Sequence, residues 1–256
     1  MSSCVPAERQ ELLEELTWPD VAGLIDDGDR LALLPVGATE QHGRHLPLST
    51  DSEIATSICL AAAQRTGVPV LPTLWVGSSG AHTDKWPGTL SLSPRLLVEV
   101  VLELARCVRA SGFRKLLIVN AHVGNAAPLK VAVDEIRTDG VLRIGLVNWY
   151  ELTADISAQV TADADDWHAH AAETSLMLHL RPDLVRREDI RDDPDRTAGL
   201  VFSYTVAETS IDGLTGAPSR GTAEAGASLF EVVVSALVEQ IERAKVEEPP
   251  LKDQTA

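Results

Sequence analysis

Residues 31–51 read LALLPVGATEQHGRHLPLSTD. Six residues of strand length run straight into a loop crowded with Glu40, His42 and His45. At Asp51 the pattern DSEIATSICLAAAQR (51–65) takes up the three-and-four spacing of an amphipathic helix. Strand, loop and helix make the first half of a βαβ unit. A carboxylate, an imidazole and a second carboxylate just past a buried-looking run are also the parts of a metal site. Taken alone, the loop reads equally well as solvated surface.

The same rhythm continues outward. Apolar runs at 68–76 (VPVLPTLWV), 115–120 (KLLIVN) and 143–149 (RIGLVNW) alternate with helical patterns, among them SPRLLVEVVLELARCVRASG (93–112), which opens with Ser93 and Pro94 and closes with Gly112. This alternation predicts an α/β fold with a mostly parallel sheet covered by helices on both faces. A further long helix is expected within 221–248, loops and short strands between Arg186 and Ser219, and a loose tail from about 247. With no repeat and no linker, residues 1–256 read as a single domain.

Composition narrows the function. With 22 Lys plus Arg against 38 Asp plus Glu, the formal charge is −16, which repels phosphate backbones and anionic lipid headgroups. Nucleic acid and membranes are therefore not expected partners. Cys4, Cys59 and Cys107 form no C-x-x-C pair and read as ordinary thiols. No stretch has the roughly 20 apolar residues of a membrane helix, so a cytoplasmic location is expected.

In an open parallel sheet, ligands gather beyond the carboxyl ends of the strands. The histidines follow that rule. The 31–36 run leads into Glu40 and His42, the 115–120 run into His122, the run ending at Val76 into Ser79 and His82, and DADDWHAHAAETSLMLHL (163–180) sets His168, His170 and Glu173 at a helix start. Only His179, of seven histidines, stands apart. Carboxylate and imidazole donors without thiolate suit Zn²⁺ first, with Mn²⁺ or Fe²⁺ as alternatives. More than four candidate ligands point to two ions. A pair bridged by a carboxylate and a water generates hydroxide near neutral pH, a route to amide hydrolysis.

In order along the chain, TEQHGRHLPLSTD (39–51), PGTLS (87–91), NAHVGN (120–125) and HAHAAETS (168–175), with GAPSRGTAEAG (216–226) after them, resemble the motifs of the creatininase, or creatinine amidohydrolase, family. The resemblance covers nearly the whole chain. It implies a three-layer α/β/α sandwich, a homohexamer, and a metal-dependent hydrolase that cleaves a C–N bond of a small amide, cyclic amide or formamide with a metal-bridging hydroxide. Peptide-trimming members and a non-catalytic metal-binding assembly protein are the alternatives. It further implies that Glu40, Asp51 and His122 hold one ion, that His42, Asp51 and Glu173 hold the other, and that His168 transfers protons.

Three departures from the family pattern stand out. Gly124 replaces the Glu of creatinine-hydrolysing members, which argues against creatinine as substrate. Ala121 and Val123 replace glycines, and His170 replaces the Gly of H-A-G, where it could narrow the pocket, add a ligand or bind substrate. Ser79, His82, His170 and Trp149 are the candidate substrate contacts. For His82 loop packing is an equal reading, and Trp149 and Trp167 read either as core or as pocket wall. His45 fits a supporting role better than ligation.

Overall fold

A computed structural model describes residues 12–26 and 30–251. Cys4 and the end of the polar tail, residues 252–256, lie outside them. The helices are α1 (Trp18–Asp26), α2 (Thr50–Thr66), α3 (Pro94–Ala110), α4 (Ala126–Asp139), α5 (Ala154–Val160), α6 (Ala171–Leu180), α7 (Val206–Thr209) and α8 (Ala223–Val246). Strands β1 (Leu31–Val36), β2 (Lys115–Asn120) and β3 (Arg143–Asn148) form a parallel sheet in that order, with Leu31 opposite Lys115 and Lys115 opposite Arg143.

Side-chain alternation along the strands separates two cores, since successive residues face opposite sides of a sheet. Leu31, Leu33, Leu117 and Val119 pack with Ile54 and Ile58 of α2, Leu176 of α6 and Leu229 and Val233 of α8. Ala32, Leu34, Leu116 and Ile118 pack with Leu97 and Val101 of α3 and Leu129 and Ala132 of α4. The result is the expected three-layer α/β/α sandwich. Caps fit the boundaries: the Ser93 hydroxyl accepts from Leu96 N–H at the start of α3, which has Pro94 in its first turn, and Gly67 ends α2 at φ 74°.

The 68–76 run departs from a regular strand. It touches β1 only through isolated parallel bridges, Leu33 to Val70 and Val36 to Leu74. Pro69 and Pro72 have no N–H to give a ladder. The same contact explains how Pro35 is tolerated inside β1. Leu33 and Gly37 donate to carbonyls of the 68–76 run, so Pro35, of the same parity, lacks its N–H on that side and not toward β2.

Between Arg186 and Ser219 the backbone is mostly loop, with the short α7 and a bridge from Asp193 to Gly216. It is organised by Asp193, whose carboxylate accepts from Ser210 Oγ and Ile211 N–H at 2.8 and 2.7 Å and pairs with Arg196 at 2.6 Å. The start of the tail is tied down: Arg143 binds Glu248 at 3.0 Å, and Lys115 Nζ donates to Glu247 O at 3.0 Å.

Candidate active site

Four parts of the chain meet past the carboxyl end of the sheet. The loop after β1 carries Glu40 and His42, the first turn of α2 carries Asp51, the turn after β2 carries His122, and the start of α6 carries Glu173 with His168 just before it. The loops are locked by asparagines. Asn125 accepts from Ser78 N–H at 2.8 Å and donates to Gly37 O at 2.9 Å. Asn120 accepts from His122 N–H at 3.1 Å and donates to its carbonyl at 2.8 Å. These bonds join the ends of β1 and β2 to the segment bearing Ser79, and fix where His122 points.

The ligand-type atoms fall into overlapping groups. Glu40, Asp51 and His122 bring three of them within 4.8 Å of one another, and so do His42, Asp51 and Glu173. Asp51 belongs to both: one oxygen lies 3.1 Å from His42 Nε2 and the other 3.3 Å from His122 Nδ1. Glu40 reaches His122 Nε2 at 3.3 Å, and Glu173 reaches His42 Nε2 at 3.7 Å. A third group joins Glu40, His42 and His168.

Three carboxylates with almost no solvent exposure need compensating charge. Both Glu40 oxygens and Asp51 Oδ2 have no hydrogen-bond donor, and burial pushes Glu40 up to about 7. Burial works against the charged forms of His42 and His122, yet the neighbouring carboxylates outweigh it, holding His42 well above its usual range and raising His122 to about 9. His42 Nδ1 is 3.2 Å from the Glu40 carbonyl. With Nδ1–H donated there, the Nε2 lone pair faces Asp51 and Glu173, as in a metal ligand. The donor set fits divalent cations.

His168 and His82 are of another kind. His168 Nε2 is 2.8 Å from the Gln41 carbonyl and 3.1 Å from the Gln41 side-chain amide nitrogen; with Nε2–H donated to the nearer carbonyl, Nδ1 carries the lone pair and faces Glu40 at 3.6 Å. Burial and His42 lower its pKa to about 3, leaving it neutral. The Gln41 side chain accepts from Gly43 N–H, and its amide lies 3.0 Å from His82 Nδ1. Between the two histidines and the carboxylates is a cavity of about 190 Å³. Ser79, His82, His122 and His168 line it with Trp167, Tyr204 and Thr209.

Two candidate substrate contacts do not reach that cavity. Trp149 is fully buried in the α2–α8 core. Its neighbour Trp167, stacked on His170 with centroids 4.6 Å apart, supplies the wall instead. His170 is also fully buried. Its Nε2 is 2.9 Å from Val160 O and its Nδ1 is 3.4 Å from Glu173 Oε2, so it backs Glu173. His45 is 2.8 Å from Thr174 Oγ1 and belongs to none of the three groups, in keeping with a supporting role.

Ala169, between the two histidines, has φ 52° and is the one non-glycine with positive φ among the described residues. This strained turn aims its N–H at Glu173 Oε2, 2.7 Å away. The remaining substitutions are readily housed: Ala121 is buried at the cavity, and Val123 is half-exposed beside it.

An α/β/α sandwich with carboxylates and imidazoles gathered past parallel strand ends defines a metal-dependent hydrolase of C–N bonds. The chain belongs to the creatininase family, whose model, described as creatinine amidohydrolase, matches residues 14–241. A creatinine amidohydrolase of Pseudomonas putida is 30% identical over 245 residues, 89% of this chain and 94% of its own. A mycofactocin precursor peptide peptidase of Mycolicibacterium smegmatis is 32% identical over 225 residues, 83% of this chain and 85% of its own. A solved creatininase, described as the Mn form, matches with a TM-score of 0.81 and 29% identity, covering 93% of this chain and all of that one.

Proposed function

We propose that the chain hydrolyses a C–N bond of a small amide, cyclic amide or formamide other than creatinine, with two divalent ions held by Glu40, Asp51 and His122 and by His42, Asp51 and Glu173. The observation that carries this reading is Asp51, whose two buried oxygens face different imidazoles at 3.1 and 3.3 Å. When bound, such ions polarise a carbonyl and bring the pKa of water close to neutrality. Zn²⁺ suits the mixed carboxylate and imidazole donors; Mn²⁺ and Fe²⁺ are the alternatives.

The chain's own residues do the rest. His168, neutral and anchored through Nε2–H, presents Nδ1 to accept a proton and pass it to the leaving nitrogen. Ser79 and His82 line the cavity and are assigned to substrate contact. The exclusion of creatinine rests on Gly124. A Cβ there would come within 2.5 Å of Ser78 O and closer still to the His122 ring, so the glutamate of creatinine-hydrolysing members has no room.

A peptide-trimming role is the second reading, favoured by one feature. Tyr204, which lines the cavity, continues into exposed Val201 and Phe202, an apolar approach suited to a peptide chain. A homohexamer, a single catalytic unit over residues 1–256 and a cytoplasmic location complete the proposal. No described helix is long and apolar enough to cross a membrane.

The experiment is elemental analysis of the purified chain and of Asp51→Ala, with steady-state assays on creatinine, formamides, cyclic amides and short peptides. About two ions per wild-type chain, both lost in Asp51→Ala, support the assignment. One ion or none, with no activity restored by Zn²⁺ or Mn²⁺, overturns it. Creatinine turnover with kcat/KM above about 10⁴ M⁻¹s⁻¹ overturns the substrate reading.

A further inference from the structure

The opposite end of the sheet holds a larger cavity, of about 930 Å³, bordered by the strand starts and by the C-terminal ends of α3, α4 and α8. In a chain of net charge −16 its rim is basic. Cations near helix C-termini are ordinary, because the last carbonyls attract them. Four rim residues are engaged in that way or with carboxylates. Lys115 Nζ donates to Ala244 O at 2.7 Å and Lys245 O at 2.8 Å, Arg143 pairs with Glu248 at 3.0 Å, Lys245 with Glu242 at 3.0 Å, and Arg137 with Asp134.

Arg30, Arg109 and Arg114 are different. None has a carboxylate partner among the described residues. The Arg30 carbonyl accepts the N–H groups of Arg114 and Lys115 at 2.8 and 2.9 Å, which fixes Arg30 beside Arg114. Arg114 turns onto the carbonyls of Gly112 and Phe113, each at 3.0 Å. Burial together with the fields of Arg109 and Arg30 lowers the Arg114 pKa. Three crowded guanidiniums face one hollow whose walls include Leu24 and Leu142. Planar forks of donors suit the oxygens of a phosphate, and the volume is that of a small-molecule site.

We propose that this cavity binds a small phosphate-bearing anion, its phosphate held by Arg30, Arg109 and Arg114 and any organic portion lying on the apolar wall. It is separated from the hydrolytic centre by roughly 20 Å, the length of a six-residue strand, so it is independent of the assignment made there.

Isothermal titration calorimetry of the metal-loaded full chain tests this, with inorganic phosphate and AMP as separate probes. Wild type is expected to saturate with a Kd of about 1 mM or tighter for at least one of them, more weakly as salt rises. Arg30→Ala/Arg109→Ala should weaken binding about tenfold or more, with metal content and melting behaviour unchanged, because neither side chain makes a hydrogen bond in the described structure. AMP binding more tightly than phosphate supports use of the apolar wall; equal affinities support a phosphate site alone. No saturation of wild type by either probe, or an unchanged Kd in the double variant, overturns the proposal. The same Kd in Arg109→Glu would overturn it independently.

Discussion

His170 Nδ1 lies 3.4 Å from Glu173 Oε2, behind the carboxylate whose other oxygen faces His42. The residue that replaces a family glycine therefore touches Glu173, and we assign it to supporting that proposed ligand and not to binding substrate. His170→Ala should weaken metal binding about 10- to 100-fold, the usual effect of losing a partner behind a ligand, without changing substrate preference. Metal titration and a substrate panel check both halves. A changed preference at full metal loading would return His170 to the pocket.

His168→Ala should keep its metals and its melting temperature while turnover falls about 10²- to 10⁴-fold, the usual contribution of a positioned acid or base. Glu173→Ala should instead lose one ion. Elemental analysis beside single-turnover kinetics separates the two; metal loss in His168→Ala would make it a ligand.

Ala169 sits in the left-handed region at φ 52°, where an L side chain costs about 1–2 kcal/mol. Ala169→Gly should raise stability by up to about 1 kcal/mol in urea denaturation. If stability falls, the methyl group has packing value that outweighs the strain.

Gly124→Ala tests the tight packing under His122. A methyl group against Ser78 O and the imidazole should cost about 1–3 kcal/mol, as overpacking does, and weaken the ion that His122 serves. Creatinine turnover should not appear. A fully stable, fully metallated variant would show that the loop yields.

Asp193 gives a pH dependence. Burial raises its pKa, but the Ile211 N–H, Ser210 and Arg196 outweigh burial, so the folded value is depressed. The stability it contributes is present above the unfolded value, about 3.9, and is lost as pH falls through the folded value. At neutral pH Asp193→Asn should cost about 1–3 kcal/mol, and the gap from wild type should close below about pH 4. Denaturation curves across pH 3–7 check this; a gap that persists in acid would assign the loss to shape alone.

Contiguous signals were the legible ones. The runs 31–36, 115–120 and 143–148 are short with apolar centres, so the strands stand out, β1 and β2 buried and β3 partly so. Glu40, His42 and Asp51 lie within twelve residues of one another, which makes their clustering visible before folding. The 68–76 run has the same apolar content but two prolines, and hydrogen-bonding capacity overrode hydrophobicity. Tyr204 and Thr209 carry no local signal. They reach the site through a loop organised by Asp193, and nothing in their spacing announces that contact. The choice between Trp149 and Trp167 was equally hidden, because it depends on which indole faces the core.

The broken run at 68–76 also bears on how copies of this chain can associate. An exposed strand edge is a template for sheet growth between molecules, and proline is among the residues that blunt it. Along β1 that edge is covered by a segment whose outer side is occupied at Val70, where the carbonyl accepts Leu13 N–H at 2.8 Å, and which lacks a donor at Pro72. An incoming strand therefore finds few free backbone groups on this side, which disfavours fibrous aggregation along this edge.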